Sequence, residues 1–203
     1  MGEQGGAAMT AKTMKQPLRQ RIIADRAALP QQERARLSRE ISARLLRLPV
    51  YSKAHAVLGY MNFGAEFESE SWLRQTLHAG KALFLPKVNT VTRELELYRV
   101  TDVDAQLAPG VLGIREPVPQ SCAVARLEEV DFILLPGVAF GRDGARLGYG
   151  GGFYDKLLAG LRHTPALVAA AFAMQIVEGV PQEATDRKVE WLVTEGEVMQ
   201  CAK

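Results

Sequence analysis

The stretch Gly144-Ala145-Arg146-Leu147-Gly148-Tyr149-Gly150-Gly151-Gly152-Phe153-Tyr154-Asp155 concentrates residues able to do chemistry. Five of its first nine residues are glycine, out of 18 in a chain of 203. It lies between an apolar run, Phe132-Ile133-Leu134-Leu135-Pro136, and a helical pattern, Lys156 to Leu161. Glycine is entropically costly wherever the backbone is fixed, so such a cluster needs a physical reason. One is close approach of backbone N–H groups to an anion at a helix start. A flexible loop and a tight turn without ligand are the others, and glycine content alone does not separate the three. Arg146 can neutralise phosphate. Asp155, in the first helical turn, either satisfies the helix dipole or holds Mg²⁺ against phosphate oxygens. Arg146, the backbone from Gly148 to Gly152 and Asp155 taken together favour the ligand.

The familiar glycine motifs do not fit. A Walker A loop, G-x-x-x-x-G-K-[ST], fails at Gly80-Lys81, because Ala82 follows and Gln75 stands where the first glycine belongs. The dinucleotide fingerprint from Gly148-Tyr149-Gly150 would need glycine at Phe153. No serine lies in the stretch, so it is not a nucleophile elbow.

A second cluster lies far upstream. Lys15 and Arg19 are four apart near the start of a helix expected over Gln16–Leu29, with Pro17 suited to its first position. Two cations oppose the macrodipole there. Either they are solvated, or a phosphate is their counter-ion.

The elements that must position these residues follow from periodicity. Pro30 breaks the first helix, and Leu37, Ile41, Leu45 and Leu48 give a second over Gln31–Leu48, ended by Pro49. Ala54–Met61 is strand-like and runs into the loop Asn62–Glu68. Ser69 is placed to cap a helix over Glu70–His78. Ala82–Leu85 reads as a short strand ended by Pro86, and Leu95–Val100 alternates as a half-buried antiparallel strand does. Residues 101–130 are turn-rich, Phe132–Leu135 suits a central strand, and Ala166–Phe172 and Glu190–Thr194 are two more. The alternation implies a single three-layer α/β/α domain with a mostly parallel central sheet and an N-terminal helical pair. Loops 62–68 and 136–152 both follow strands, which brings them together at the carboxyl ends where such sheets bind ligands.

Bulk properties narrow the class. Hydrophobic residues are 47% and charged ones 24%, as in an ordinary soluble protein, and no apolar run is long enough for a bilayer. Residues 1–14 read as a disordered leader, not a secretory signal, and Met9 and Met14 are alternative starts. Cys122 and Cys201 form neither a disulfide framework nor a metal site, which implies a cytoplasmic protein. Residues 1–50 hold ten lysines and arginines against four acids. Arg34, Arg36, Arg39, Arg44 and Arg47 fit a solvated helix face.

The run Leu135-Pro136-Gly137-Val138-Ala139-Phe140 with the glycine stretch resembles the signature of the 5-formyltetrahydrofolate cyclo-ligase family. Further landmarks run in order: Lys15-x-x-Leu18-Arg19, Glu66-Phe67-Glu68-Ser69, Leu85-Pro86-Lys87, Gly113-Ile114-Arg115-Glu116-Pro117, then Asp186 and Val193-Thr194. The glycine signature is specific, whereas each of the others is weak alone. Three positions depart from the family pattern. Gly141 stands where Asp is usual, Thr185 where His is frequent, and Phe153 where Tyr is frequent. Any role of the first Asp is then lost or passes to Asp143.

The resemblance implies one cyclo-ligase domain over residues 15–199, acting as a monomer on a small molecule, without nucleic acid or membrane partners. The implied reaction converts 5-formyltetrahydrofolate, with or without a polyglutamate tail, to 5,10-methenyltetrahydrofolate using ATP and Mg²⁺. The formyl oxygen takes the γ-phosphoryl group, N10 attacks the activated carbon, and ADP and phosphate leave. Implied nucleotide contacts are Lys15, Arg19 and the run Arg146, Leu147, Gly148, Tyr149, Gly150, Gly151, Gly152, Phe153 and Tyr154. Asp155 and Asp186 would carry Mg²⁺. Met61, Glu66, Glu116 and Tyr154 would meet the folate, and Arg146, Tyr154 and Asp155 would be catalytic. Two other classes share some of these features. One is an ATP- or CoA-using α/β enzyme with another acceptor. The other is a nucleic-acid or partner-binding module on the basic helices, disfavoured because the first aromatic residue is Tyr51.

Overall fold

The run Phe132–Leu135 is buried at all four positions, and its side chains alternate between two cores. Phe132 and Leu134 join Leu37, Ile41, Leu45, Trp72 and Leu73, while Ile133 and Leu135 join Phe140, Leu158 and Leu192. A strand apolar on both faces must be covered on both, which makes this the middle of a three-layer fold. The computed structural model describes residues 11–183 and 186–201. In chain order the elements are helices α1 (Ala11–Ala28), α2 (Gln31–Leu45) and α3 (Pro49–Lys53), strand β1 (Ala56–Leu58), helix α4 (Glu70–His78), then β2 (Ala82–Asn89) and β3 (Glu94–Val100). They continue with β4 (Leu107–Pro109), β5 (Arg115–Pro117), β6 (Ala123–Ala125), β7 (Phe132–Leu135), β8 (Ala139–Phe140) and β9 (Arg146–Leu147). Helix α5 (Phe153–Ala159) and strands β10 (Ala166–Ala170), β11 (Trp191–Val193) and β12 (Val198–Gln200) complete the chain.

Eight strands form one sheet in the order β12-β11-β10-β7-β1-β2-β3-β6. The five central strands are parallel, β12 and β3 run antiparallel to them on either side, and β6 pairs antiparallel with β3 at the edge. The mostly parallel sheet with antiparallel Leu95–Val100 is therefore as expected. Two hairpins, β4–β5 and β8–β9, stand outside the main sheet. Helices α2 and α4 cover one face and α5 the other. Helix α1 packs through Ile22 on the β8–β9 hairpin, among Val138, Ala139, Ala145 and Leu147.

Several local expectations change. Helix α1 starts at Ala11, so Pro17 lies inside it and not at its first position. The first ten residues of the expected leader fall outside the described residues. Pro49 opens α3, where its missing N–H costs nothing, as well as following α2. Ser69 makes no side-chain cap on α4; its hydroxyl donates to the Tyr60 carbonyl at 2.6 Å and ties the loop after β1 to the helix start. Pro86 does not end its strand. Gly59 N–H donates to the Phe84 carbonyl, so residue 86 faces the same side, past the end of β1. The missing donor there removes no ladder bond, and Pro86 pairs with Leu97.

Candidate active site

The carboxyl ends of β1 and β7 open onto two adjoining cavities. One, of about 400 Å³, is mainly apolar, walled by Tyr60, Met61, Leu85, Ile114, Phe153 and Tyr154, with Glu66 and Glu116 in its lining. The other, of about 1010 Å³, is lined by Lys15, Arg19, Lys156, Glu183, Asp186 and Arg187 among others. Arg146, Gly148, Gly150, Gly152 and Asp155 border both. The glycine stretch is thus a shared wall.

Its backbone explains its composition. Gly150 and Gly152 have φ of 98° and 71°, in the left-handed region that costs an L-residue about 1–2 kcal/mol. Gly152 precedes α5, which places Asp155 in the first turn as the sequence suggested. The stretch is therefore a tight turn at a cavity. Helix α5 is only seven residues long, so positive charge toward any anion there would come mainly from side chains. Arg146, 6% exposed, donates from Nη1 to the Pro136 carbonyl at 3.2 Å and from Nη2 to Asp155 Oδ1 at 2.5 Å. Its Nε is buried with no hydrogen-bond partner among the described residues. Arg19 Nε donates to the Gly148 carbonyl at 2.8 Å.

Lys15 reaches across from α1 to Asp186 Oδ2 at 2.7 Å and Glu183 Oε2 at 2.8 Å. Burial works to lower the Lys15 pKa, but the bonds and charges of the two carboxylates outweigh it and the net direction is up. Burial likewise works to raise Asp186, yet the Lys15 hydrogen bond, the Glu183 N–H and the Lys15 charge hold it below its ordinary value. Asp155 and Asp186 each face a cation, and both line the larger cavity. Among the described residues no three His, Cys, Asp or Glu side chains converge as a metal cage. A divalent ion at Asp155 and Asp186 would need oxygens from a ligand, the usual situation for Mg²⁺ on phosphates.

In the smaller cavity Glu66 is 4% exposed, one oxygen accepting Phe63 N–H at 2.7 Å and the other the Tyr149 hydroxyl at 2.6 Å. Burial pushes its carboxyl up, against the pull of those two bonds and the Arg26 charge. Glu116 accepts from Lys87 Nζ at 3.2 Å and Val88 N–H at 3.3 Å. Burial and the Glu66 charge push the Tyr154 phenol up, so it remains a neutral donor. Tyr149, Gly151, Phe153 and Tyr154 line the apolar cavity, whereas Lys15, Arg19, Leu147 and Asp186 line the polar one. Asp143 lies away from both, paired with Lys188 on the hairpin and accepting from Ala145 N–H. A Cβ at Gly141 would come within 2.4 Å of Asp143 Oδ1, so the small residue at 141 accommodates that fold-back. Thr185 lies outside the described residues.

The sequence profile of the 5-formyltetrahydrofolate cyclo-ligase family matches residues 11–195. The chain belongs to that family. It is 30% identical over 176 residues to the 5-formyltetrahydrofolate cyclo-ligase of Escherichia coli K12, covering 86% of this chain and 97% of that one. With the mouse 5-formyltetrahydrofolate cyclo-ligase it shares 28% identity over 197 residues, 93% of this chain and 97% of the relative. The solved structure of Aquifex aeolicus 5,10-methenyltetrahydrofolate synthetase superposes with a TM-score of 0.82 at 37% identity, covering 94% of each chain.

The arrangement also includes residues that the motifs did not single out. Arg26 is 2% exposed and donates from Nη2 to the Tyr149 hydroxyl at 2.6 Å. Glu183 shares Lys15, and Lys87 shares Glu116. A signal for Arg26 does exist: Lys15, Arg19, Ile22 and Arg26 recur at helical spacing, so a basic residue shares the face that Ile22 buries. Lys87 and Glu183 carry no comparable pattern.

Proposed function

We propose that the chain converts 5-formyltetrahydrofolate to 5,10-methenyltetrahydrofolate with ATP and Mg²⁺, releasing ADP and phosphate. One observation carries this reading: an apolar slot with a buried carboxylate and a cation-lined cavity meet at the same guanidinium, Arg146. A formyl oxygen in the first and a triphosphate in the second would face each other across it. A formamide carbon is a poor electrophile and its oxygen a poor leaving group. When bound, MgATP supplies the phosphoryl group that makes that oxygen a leaving group, so that N10 can close the ring.

The residues fit this task. The unpartnered Arg146 Nε is a donor in want of an acceptor, and Lys15 and Arg19 extend the positive lining along the larger cavity. Their work is positioning and charge neutralisation, which dominate phosphoryl transfer. Asp155 and Asp186 are the carboxylates that would hold Mg²⁺ beside the phosphates. Glu66 would accept N–H groups of the pterin, Met61 and Tyr154 would pack on its ring, and the Tyr154 hydroxyl would donate near the formyl group. Glu116, already held by Lys87, would present its charge toward N10. The family match, the Lys15–Arg19 pair and the apolar slot together favour folate over another acceptor.

The test is to incubate the purified protein with 5-formyltetrahydrofolate, with and without ATP and Mg²⁺, and to follow methenyl product and ADP by chromatography. Equal yields of the two, absent when either substrate is left out, are expected. ATP hydrolysis that ignores the folate, or product formed without ATP, would refute the reading.

A further inference from the structure

Arg26 is an unusual residue to bury. Its Nε and Nη1 have no hydrogen-bond partner among the described residues, and its guanidinium stands 5.8 Å from the centre of the Tyr149 ring. A buried guanidinium so incompletely matched weakens a fold more than it strengthens it, so its use lies elsewhere. Its third nitrogen, Nη2, donates to the Tyr149 hydroxyl, which in turn donates to Glu66 Oε1. Arginine can only donate and a carboxylate can only accept, whereas a hydroxyl does both. The chain of bonds therefore has one direction, from Arg26 to Tyr149 to Glu66. Because Phe63 N–H donates to the other oxygen, both Glu66 oxygens are in the accepting role, and the network favours the ionised form against the burial that pushes the carboxyl up.

The same helix holds the neighbouring residue. Arg19, seven residues before Arg26 on the same face of α1, donates to the Gly148 carbonyl. Helix α1 thus grips Gly148 and Tyr149 in succession while presenting Lys15 and Arg19 to the larger cavity. Tyr149 is 40% exposed as a residue, and its ring meets that of Phe63 edge-on at 6.4 Å, so it bridges the glycine turn and the loop after β1.

We propose that Arg26 and Tyr149 are positioning residues that hold Glu66 as an oriented, ionised acceptor and lock the glycine turn against the apolar cavity. The importance of this to catalysis rests on Glu66 as the pterin-binding carboxylate. The groups acting on Glu66 are Tyr149 and the Phe63 N–H by hydrogen bond and Arg26 by charge. Tyr60 and Tyr154 also lie within its field, and Arg146 acts on Tyr154. All three phenols are pushed up, with burial the largest cause, and stay neutral at physiological pH. Arg26 is then the formal charge that works against the burial of Glu66, which still pushes its carboxyl up, and it acts with the Tyr149 hydroxyl between them.

The experiment compares Tyr149→Phe, Arg26→Gln and Arg26→Lys with the parent. Carbon-13 NMR of the ligand-free protein, labelled at glutamate side-chain carboxyls and assigned with Glu66→Gln, reads the Glu66 titration directly. Its midpoint should rise in Tyr149→Phe and Arg26→Gln, and less in Arg26→Lys, which keeps the cation. In turnover, KM for 5-formyltetrahydrofolate should rise about tenfold in Tyr149→Phe, the scale of one hydrogen bond to a charged group, and more at acid pH than at neutral pH. KM for ATP should move less. The double variant Arg26→Gln with Tyr149→Phe should be no worse than the more affected single variant, since both act through one contact. Unchanged Glu66 titration in folded Tyr149→Phe would overturn the proposal. If Arg26→Gln does not fold, Tyr149→Phe alone decides, because it keeps the ring and removes only the hydroxyl. A Glu66→Gln variant with unaltered folate KM would instead refute the substrate role of Glu66, while the raised midpoint would still support the relay.

Discussion

Replacing Arg146 by methionine separates a residue kept for chemistry from one kept for stability. Arg146 is buried, but its ion-pair partner Asp155 is 37% exposed and its Nε lacks a partner among the described residues. A buried cation pays a large desolvation penalty, and an incompletely matched pair returns little net stability. Methionine fills similar volume without that penalty and leaves Asp155 free to rehydrate. The expected change in stability is within about 1 kcal/mol either way, or roughly 2–4 °C in Tm for a domain of this size. Turnover should respond very differently. If Arg146 faces both the transferring phosphoryl group and the formyl oxygen, its loss should cost on the order of 4 kcal/mol, about a thousandfold in kcat/KM. Arg146→Lys should recover part of this, because a point charge remains but the fork between Pro136 and Asp155 does not. The assay pairs a thermal melt with steady-state formation of methenyl product at saturating and limiting ATP. A fall of more than 10 °C in Tm with a parallel loss of activity would show Arg146 to be structural, and activity within tenfold of the parent would remove it from the reaction.

Three further outcomes follow from the same geometry. Asp155→Asn should keep the fold, as Asp155 is partly exposed, yet remove most ATP-dependent turnover; near-parental activity would refute its metal role. Lys15→Ala combined with Arg19→Ala should weaken ATP more than folate, since both line the larger cavity, and equal weakening in the two titrations would argue against a nucleotide site there. The Lys15–Asp186 contact should also be visible in the pH dependence of unfolding. Asp186 is held below its ordinary 3.8, so its contribution is present above that pH and is lost as pH falls through the lower folded value. Lys15 is held above its ordinary 10.5, so its contribution is present below that pH and is lost as pH rises through the higher folded value. Urea melts should therefore show the parent more stable than Lys15→Met at pH 7, the difference shrinking below about pH 4 and again above about pH 10. A pH-independent difference would show that the pairing is not the source.

Most of the layer order was legible because it rests on periodicity. Phe132–Leu135 reads as a two-sided central strand from four consecutive apolar residues, and Leu95–Val100 reads as antiparallel from its alternation. Residues 101–130 were less legible. Their three short strands include two that pair only with one another, and three residues are too few to show a period. Proline was misleading at Pro17 and Pro86, because its effect depends on where the missing N–H points, which neighbouring strands and turns decide. Ser69 has the composition of a cap but bonds to Tyr60, a choice made by the loop packed above it.

For the site, the chain alone pointed to side chains that the fold brings to the two cavities: a glycine turn with Arg146 and Asp155, two cations on the first helix, and a glutamate after the first strand. Those are matters of residue type and local spacing, and elimination of other motifs needed nothing more. Tertiary structure decided how they are shared. It put Tyr149, Phe153 and Tyr154 on the apolar side of the glycine turn and Lys15, Arg19 and Asp186 on the polar side. It also joined Arg26 to Tyr149 and Tyr149 to Glu66, pairs 123 and 83 positions apart, in one hydrogen-bonded line. Such a line leaves no trace in local sequence, because one bond needs α1 packed on the β8–β9 hairpin and the other needs the glycine turn brought to the loop after β1.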